Sequence, residues 1–305
     1  MKIAVIGAGA MGSIYGGHLS LNNEVYLVDT NQSVVDAINS NGLIIQENGE
    51  DVIYHPTAVT NTAGLPHMDL IILFVKALFS EVALNGNKGL IGPDTYLMTL
   101  QNGSGHEDIL SKFVDEDHII IGTTEDNGAV LATGHVRRGG VGNTNIGMLV
   151  EDKNIFLPKL KDTLDACGFH GFIHENIQQL IWNKLFTNVS LSAVTGVLQV
   201  PIGYIASNEY AWALTKKLIH EAVEVAHGLG LEADEAEITE KVRLTSVNSP
   251  EGITSICADI RAGRKTEVNT ISGSVVRASK KCNVPAPTHE LVVEIIHALE
   301  GRERG

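Results

Sequence analysis

Three polar residues, spaced four apart, lie in a largely apolar stretch of this chain. Lys184, Asn188 and Ser192 would lie on one face of a helix over residues 182–197. Asn is intrinsically unfavourable inside a helix because its side chain competes for backbone hydrogen bonds. The pattern therefore predicts that this face of the helix lines a polar cleft. A solvated helix face would produce the same spacing and is the alternative.

A second polar group lies in the segment Ala262-Gly263-Arg264-Lys265-Thr266-Glu267. Thr266 is predicted to cap a helix, which puts Glu267 in the first turn, where the helix dipole favours an ionised carboxylate. Such a carboxylate suits an anchor that accepts a hydrogen bond. Ser255, predicted near the middle of the preceding helix, could offer its hydroxyl to a substrate carboxylate. A helix-start acid and a serine bonded back to its own helix are the structural alternatives.

The N-terminus carries glycines in the G-x-G-x-x-G spacing directly after a predicted apolar strand over residues 2–6. Gly7 allows a tight turn, Gly9 lets the backbone approach a pyrophosphate, and Gly12 lets helix and strand pack closely. The N–H groups at the helix start would then face the phosphates of a dinucleotide, although a glycine-rich turn without a ligand is the alternative. The predicted cofactor-binding residues of this turn are Gly7, Gly9, Ala10, Met11 and Gly12.

Side chains that follow other predicted strands extend this site. Asp29 ends the second strand, where a carboxylate can accept both ribose hydroxyls of NAD. It would repel the 2′-phosphate of NADP, and Thr30 and Asn31 supply no cation to offset that. The sequence therefore predicts NAD over NADP, unless Asp29 only caps the next helix. Lys76 and Asn102 follow the third and fourth strands and reach the same edge of a parallel sheet, where doubly wound folds bind ligands.

The order of the elements predicts the fold class. Short runs that are apolar on both faces alternate with helical stretches in the first half, which indicates a parallel sheet covered by helices. Residues 128–148 are predicted as hairpins that extend this sheet, and residues 300–305 are expected to be frayed. The prediction is an α/β protein with an N-terminal Rossmann doubly wound sheet that binds NAD, residues 1–174. An all-α C-terminal domain, residues 175–305, supplies the substrate and catalytic groups.

Composition argues against several classes of partner. A net charge of −14 disfavours nucleic acid, which needs clustered Lys and Arg. No apolar run reaches the length of about 18 residues that a membrane span needs. Three scattered cysteines fit a reducing cytoplasm, and the scattered histidines give no metal-binding pattern, so no metal is expected. Apolar helices in the second half suggest a homodimer. The expected partner is a small molecule.

Taken together, these motifs resemble the ketopantoate reductase (2-dehydropantoate 2-reductase) family over essentially the whole chain. The resemblance implies a Rossmann domain followed by a helical domain, with the active site between them. The residues that carry it are Gly7, Gly9 and Gly12, Gln101-Asn102-Gly103, Lys184 with Asn188, the segment Asp259-Ile260-Arg261-Ala262-Gly263-Arg264, Thr266-Glu267, and Gly273.

The resemblance also implies roles for individual residues. By position, Lys184 resembles the general acid that protonates the ketone oxygen as hydride arrives from the nicotinamide. Glu267 resembles the group that holds the substrate hydroxyl. The residues that resemble substrate-positioning groups are Asn102, Asn188 and Ser255, and Asn102 is also implied to lie close to the nicotinamide.

Two departures from the family pattern shape the functional hypothesis. Asp29 stands where NADP-specific members usually have a basic residue, and Ser192 stands where a second Asn is common. Both favour an NAD-dependent D-2-hydroxyacid dehydrogenase for bulky, branched or aromatic 2-oxo acids, similar to D-mandelate dehydrogenase. One alternative is a 2-dehydropantoate 2-reductase of pantothenate biosynthesis. Another is a non-catalytic NAD-binding regulatory protein, against which Lys184 and Glu267 argue.

Overall fold

The computed structural model describes residues 1–302 and divides the chain into two compact units. Unit 1 comprises Met1–Gln101 and His106–Ile177, and unit 2 comprises Asn102–Gly105 with the residues from Gln178 onwards. The sequence analysis places the boundary between residues 174 and 175, whereas this division falls after residue 177 and assigns Asn102–Gly105 to unit 2. The predicted α/β class, with a Rossmann sheet first and helices after it, is confirmed.

All the strands belong to unit 1, and their main sheet is mostly parallel. The strands are β1 (Lys2–Ile6), β2 (Glu24–Val28), β3 (Leu43–Glu47), β4 (Glu50–Tyr54), β5 (Thr57–Val59), β6 (Leu70–Leu73), β7 (Tyr96–Thr99), β8 (Ile119–Thr124), β9 (Asn127–Ala132), β10 (His135–Gly140), β11 (Asn143–Gly147) and β12 (His170–Ile173). The main sheet runs β12-β11-β8-β7-β6-β1-β2-β5, and only the β8–β11 pair is antiparallel. The central strands β6 and β7 are buried throughout, as their continuous apolar sequences predict.

The helices of unit 1 have at most 11 residues, whereas the longest of the later helices has 20. The helices of unit 1 are α1 (Ala10–Leu19), α2 (Gln32–Asn41), α3 (Ser80–Gly86), α4 (Glu107–Leu110) and α5 (Phe156–Ala166). The later helices are α6 (Ile177–Thr187), α7 (Ala193–Leu198), α8 (Gly203–Ser207), α9 (Glu209–Gly228), α10 (Glu235–Asn248), α11 (Ser255–Arg261), α12 (Ser272–Cys282) and α13 (Pro287–Glu300). A π-helical turn, Asn188–Ser192, joins α6 to α7, so the single helix predicted over residues 182–197 is interrupted.

A second sheet of four strands, in the order β4-β3-β10-β9, lies outside the predicted fold. The prediction that residues 128–148 extend the main sheet is wrong for β9 and β10, which pair with each other, while β10 also pairs with β3. Only β11 joins the main sheet. The edge strands β4 and β9 are exposed at almost every position, so they lack the alternation of apolar and polar residues that reveals a strand.

A buried ion pair lies close to this second sheet. Arg138 of β10 donates from Nε to Asp126 Oδ1 at 2.7 Å, and both side chains are almost completely buried. The guanidinium also lies 4.9 Å above the ring of Phe169. A buried charge needs a paired partner, so this contact fixes β10 against the core of unit 1.

The N-terminus of α13 depends on side chains of α9. Its N-cap residue provides no side-chain cap, and Glu221 instead accepts from Thr288 N at 2.9 Å and His289 N at 3.1 Å. His289 is fully buried and donates from Nε2 to Leu218 O at 3.0 Å. Its Nδ1 has no hydrogen-bond partner among residues 1–302. Burial lowers the pKa of His289 to about 4, so the imidazole is neutral at neutral pH.

We expect His289 to make the folded protein sensitive to acid. Because its folded pKa is below that of an unfolded histidine, the unfolded chain binds the extra proton first as pH falls. This group alone should lower the free energy of unfolding by about 3 kcal/mol between about pH 6.5 and about pH 4. Urea unfolding of wild type and His289→Gln across this range measures the effect. His227→Gln, on the exposed side of α9, is the matched control, and equal pH slopes for all three proteins would contradict the prediction.

Candidate active site

The turn between β1 and α1 brings backbone very close to backbone. Gly7 has a φ of 104°, and a Cβ added to Gly12 would lie 1.8 Å from Gly7 O. A Cβ on Gly9 would meet nothing within 4 Å, so open space lies above the start of α1. Gly9 is the N-cap, and no side chain caps the first N–H groups of α1, which include those of Ala10 and Met11. The helix start can therefore accept a phosphate.

Asp29 lies directly beside this turn. Its carboxylate accepts from Ala8 N at 2.7 Å and from Asn31 N at 2.8 Å. Asn31 caps α2 by accepting from Ser33 N, so the alternative that Asp29 merely caps this helix does not hold. Each carboxylate oxygen keeps a further lone pair, so Asp29 can accept hydroxyl groups of a ribose.

A pocket of about 400 Å³ adjoins Gly7 and Asp29. One wall is apolar and includes Val75, Phe79 and Val82. The rim carries polar groups, and those that the sequence analysis missed are Thr60, Asn61, Thr62 and Asn87. An apolar slot beside a ribose-binding acid fits the adenine ring of a dinucleotide. Phe79 and Val82 are large apolar side chains left exposed, which nothing in the local sequence pattern reveals.

The segment that carries Lys76 packs against the glycine turn. A Cβ on Gly7 would lie 2.8 Å from Val75 N, so these two stretches of backbone touch. Gln101 donates from Nε2 to Val75 O and to Ser80 Oγ, which holds the segment in place. Lys76 is half-buried and precedes a short 3-10 helix. Unit 1 therefore brings the glycine turn, Asp29 and Lys76 to one edge of its sheet.

Asn102 belongs to unit 2, together with the segment that carries Glu267. Ser104 N donates to Thr270 O at 3.0 Å. Gly103 has a φ of 99°, and a Cβ there would lie 2.0 Å from Thr270 O. The glycine is therefore required for this contact, which places the exposed Asn102 next to the Glu267 segment.

The helix face predicted to carry Lys184, Asn188 and Ser192 is interrupted at the π-helical turn. Lys184 is exposed and Asn188 is half-buried, whereas Ser192 is only 5% exposed. A π turn closes hydrogen bonds from i to i+5, so a four-residue spacing no longer keeps Ser192 on the face of Lys184 and Asn188. Ser190 lies in this turn and donates from Oγ to Phe186 O at 2.8 Å. Isolated π turns of this kind occur frequently at functional sites.

Ser255 is the first residue of α11 and is exposed. The prediction that it lies near the middle of its helix is wrong, because Thr254 caps α11 by accepting from Cys257 N. The Thr254 hydroxyl also bonds to that of Thr195 on α7 at 2.7 Å. Since α7 follows the π turn directly, these contacts bring Ser255 close to the part of the chain that carries Asn188 and Ser192.

Glu267 does not start a helix. It lies in a turn in which its carbonyl accepts from Thr270 N at 3.0 Å and Ile271 N at 3.1 Å, and α12 begins only at Ser272. The prediction of a helix capped by Thr266 is therefore wrong, and no helix dipole acts on Glu267. The neighbouring Val268 is fully buried in the same apolar core as Val189 of the π turn.

Among residues 1–302, no group of three or more His, Cys, Asp or Glu side chains could hold a metal ion. None of the helices described there combines the length and the apolar character needed to cross a membrane.

A glycine turn at a helix start, an acid after the second strand and an apolar pocket beside both make up the arrangement with which doubly wound folds bind dinucleotides. The helical unit adds an exposed lysine on α6 and an acid in a turn. This combination is that of an oxidoreductase that uses a nicotinamide cofactor.

The chain belongs to the ketopantoate reductase family. A family model described as ketopantoate reductase PanE/ApbA matches residues 3–151, and the model of the C-terminal part of that family matches residues 176–300. This membership confirms the resemblance inferred from the motifs. It also confirms the predicted enzyme class, an oxidoreductase that acts on a CH–OH group.

Relatives match along almost the whole chain. A 2-dehydropantoate 2-reductase of Streptococcus pyogenes is 31% identical, and one of Pyrococcus horikoshii is 32% identical, with 98% of each chain covered. Among solved structures, the ternary structure of D-mandelate dehydrogenase with NADH and anilino(oxo)acetate has a TM-score of 0.87. It is 32% identical, and the match covers 98% of both chains.

The glycine turn gives a paired prediction. Gly9→Ala adds a methyl group to open space, so we expect an unchanged melting temperature but roughly tenfold weaker NADH binding, because the methyl occupies the phosphate position. Gly12→Ala drives a Cβ into Gly7 O and should lower both stability and binding. Thermal unfolding and NADH fluorescence titration separate the two effects. Normal NADH binding by Gly9→Ala would show that the phosphates bind elsewhere.

Proposed function

We propose that this chain is an NAD-dependent 2-oxo acid reductase whose substrate is 2-dehydropantoate. The observation that carries the proposal is the exposure of Lys184, the only basic residue of α6. Trp182 and Leu185 of the same helix are buried in the core of unit 2, whereas the adjacent Asn183 is exposed like Lys184. An ammonium on the exposed side of a helix whose other side packs into the core suits proton transfer to a bound molecule.

The residues of unit 2 divide the chemistry between them. When bound, the reduced nicotinamide supplies the hydride that the ketone carbon accepts. Lys184 donates a proton to the ketone oxygen and stabilises the negative charge that develops there. Glu267 accepts a hydrogen bond from a substrate hydroxyl. The groups that orient the substrate are Asn102, Asn188 and Ser255, with a minor part for Ser192.

The residues of unit 1 hold the cofactor. The start of α1 binds the diphosphate, Asp29 accepts the ribose hydroxyls, and Lys76 lies at the same edge of the sheet. The described residues that line the adjoining pocket include no lysine or arginine, so nothing there would neutralise a 2′-phosphate next to Asp29. This charge pattern supports NAD over NADP, and NADH is the cofactor in the D-mandelate dehydrogenase structure.

The relatives support 2-dehydropantoate as the substrate over the bulky or aromatic 2-oxo acids that the sequence favoured. The relatives are named 2-dehydropantoate 2-reductases, and Ser192, on which the argument for a bulkier substrate rested, presents little surface. Reduction of bulky or aromatic 2-oxo acids by a D-2-hydroxyacid dehydrogenase is the second candidate. Its support is the equal identity to D-mandelate dehydrogenase and the presence of Asp29. An exposed Lys184 argues against a purely regulatory NAD-binding protein.

Two further predictions concern the protein as a whole. A homodimer and a cytoplasmic location both stay predictions from composition and apolar helices. Light scattering of the purified protein tests the first. Microscopy of a tagged chain in its native cell tests the second.

Removal of the proposed proton donor should abolish most turnover. Lys184→Ala should lower kcat by roughly 100-fold, because the alkoxide then forms without an acid beside it. The affinity for NADH should stay the same, since Lys184 is not among the proposed cofactor residues. Lys216→Ala removes the same charge from an exposed position on α9 and is the control. If Lys184→Ala lowers kcat by less than roughly tenfold, Lys184 is not the general acid.

Initial rates with paired substrates and cofactors test the proposal as a whole. NADH or NADPH is combined with 2-dehydropantoate or benzoylformate. We expect the highest kcat/KM with NADH and 2-dehydropantoate. A preference for benzoylformate would support the second candidate, and no turnover with either acid would overturn both.

The cofactor half of this test has its own pair of variants. Asp29→Asn should bring the kcat/KM values for NADH and NADPH closer together, by roughly tenfold, because the repelling charge is removed. Asp36→Asn makes the same change on the exposed side of α2 and should leave the ratio unaltered. Equal ratios in both variants would show that Asp29 does not select the cofactor.

A further inference from the structure

The segment that carries Glu267 has little regular structure of its own. Residues 264–271 lie between α11 and α12 and form neither helix nor strand. Within the segment, Val268 N donates to Thr266 Oγ1 at 3.2 Å, and the Glu267 carbonyl closes one turn. Because this segment has no regular repeating hydrogen-bond pattern, the position of Glu267 depends on contacts with other elements.

The carboxylate of Glu300 provides such a contact. Its Oε1 accepts from Thr266 N at 2.8 Å and from Thr266 Oγ1 at 2.7 Å. Its Oε2 accepts from Lys265 Nζ at 3.3 Å and from His297 Nδ1 at 3.0 Å. The Glu300 side chain is only 2% exposed, so both oxygens depend on these donors. His297 also reaches the far side of the turn, where its Nε2 lies 3.0 Å from Asn269 Oδ1.

The ionised form of Glu300 is the one that these contacts favour. Burial alone would raise the pKa of the carboxyl, but the hydrogen bonds from Thr266, His297 and Lys265 outweigh it and lower the pKa to about 2. Charged acceptors make shorter and stronger hydrogen bonds than neutral ones. The backbone of Thr266, next to Glu267, is therefore firmly held.

The place of Glu300 in its own helix gives no reason for an acid. It is the last residue of α13, where the negative end of the helix dipole disfavours a carboxylate. The expected fraying of this segment is wrong for Glu300, and residues 303–305 lie outside the described part of the chain. A buried carboxylate at the C-terminal end of a helix is unfavourable. The hydrogen bonds from the Glu267 turn offset this cost.

We propose that Glu300 is a positioning residue that holds Glu267 in place to bind the substrate hydroxyl. The inference rests on the proposed function, because it takes Glu267 as the hydroxyl anchor. Glu300 acts through Thr266 and touches no substrate itself. Its hydrogen bonds fix the position of Glu267, a role that the sequence predicted for the first turn of a helix.

A double-mutant cycle tests the proposal in the full-length enzyme. Glu300→Gln should lower kcat/KM for the 2-oxo acid by roughly tenfold, because Glu267 loses its fixed geometry. The KM for NADH should not change. In a Glu267→Gln background the same substitution should have little further effect, since the anchor through which it acts is already lost. Glu294→Gln, an exposed acid on α13, removes the same charge and should leave every constant unaltered.

The outcomes separate the two proposals. If Glu267→Gln keeps full activity, the role of Glu267 fails and this inference fails with it. If Glu267→Gln is impaired but Glu300→Gln is not, or if their effects simply multiply, only the role of Glu300 is overturned. If Glu300→Gln does not fold, Thr266→Val and Thr266→Ser decide the matter. The valine variant should lose kcat/KM and the serine variant, which keeps the hydroxyl, should recover it, whereas equal values for the two would refute the proposal.

Discussion

The contact between Gly7 and Gly12 is the constraint on which the cofactor unit depends. With no side chain on either residue, the end of β1 and the first turn of α1 touch backbone to backbone. β1 lies between β2 and β6 in the sheet, so the residues that follow those strands, Asp29 and Lys76, fall on either side of the glycine turn. One close approach thus fixes the positions of the glycine turn, Asp29 and Lys76 relative to one another.

In the helical unit, side-chain contacts position the proposed functional residues, not a close approach of two stretches of backbone. Its polar residues sit on a π turn, at the first residue of a short helix and in a turn without regular structure. No repeating backbone pattern holds such pieces together. Side chains do so instead, through the hydroxyl pair of Thr195 and Thr254 and through the buried carboxylate of Glu300. Each of these contacts joins residues far apart in the chain, so the site exists only once the unit has folded.

This difference explains how much of the molecule could be predicted from its sequence. β1, the glycine turn and the acid after β2 follow one another within a short stretch, and each has a local physical signature. The second sheet escaped prediction because β4 and β9 have almost no buried residues and hence no alternation. Ser255 was placed too far into its helix because the cap Thr254 was not recognised, and Glu267 was placed in a helix because Thr266 resembles a cap although α12 begins only at Ser272. The role of Glu300 could not be found locally, because its partners next to Glu267, which are Lys265 and Thr266, lie more than thirty residues earlier.

The four residues Asn102–Gly105 have a consequence for how such proteins diversify. They stand in the middle of the cofactor unit along the gene, yet they pack with the helical unit. Recombination at the single junction near residue 177 would give a chimera whose new helices meet a foreign Asn102 segment. A glycine at position 103 and a fitting carbonyl at position 270 must then be inherited together, because a Cβ at 103 would collide with that carbonyl. Exchange of the helical unit between relatives therefore requires that the Asn102–Gly105 segment be exchanged with it.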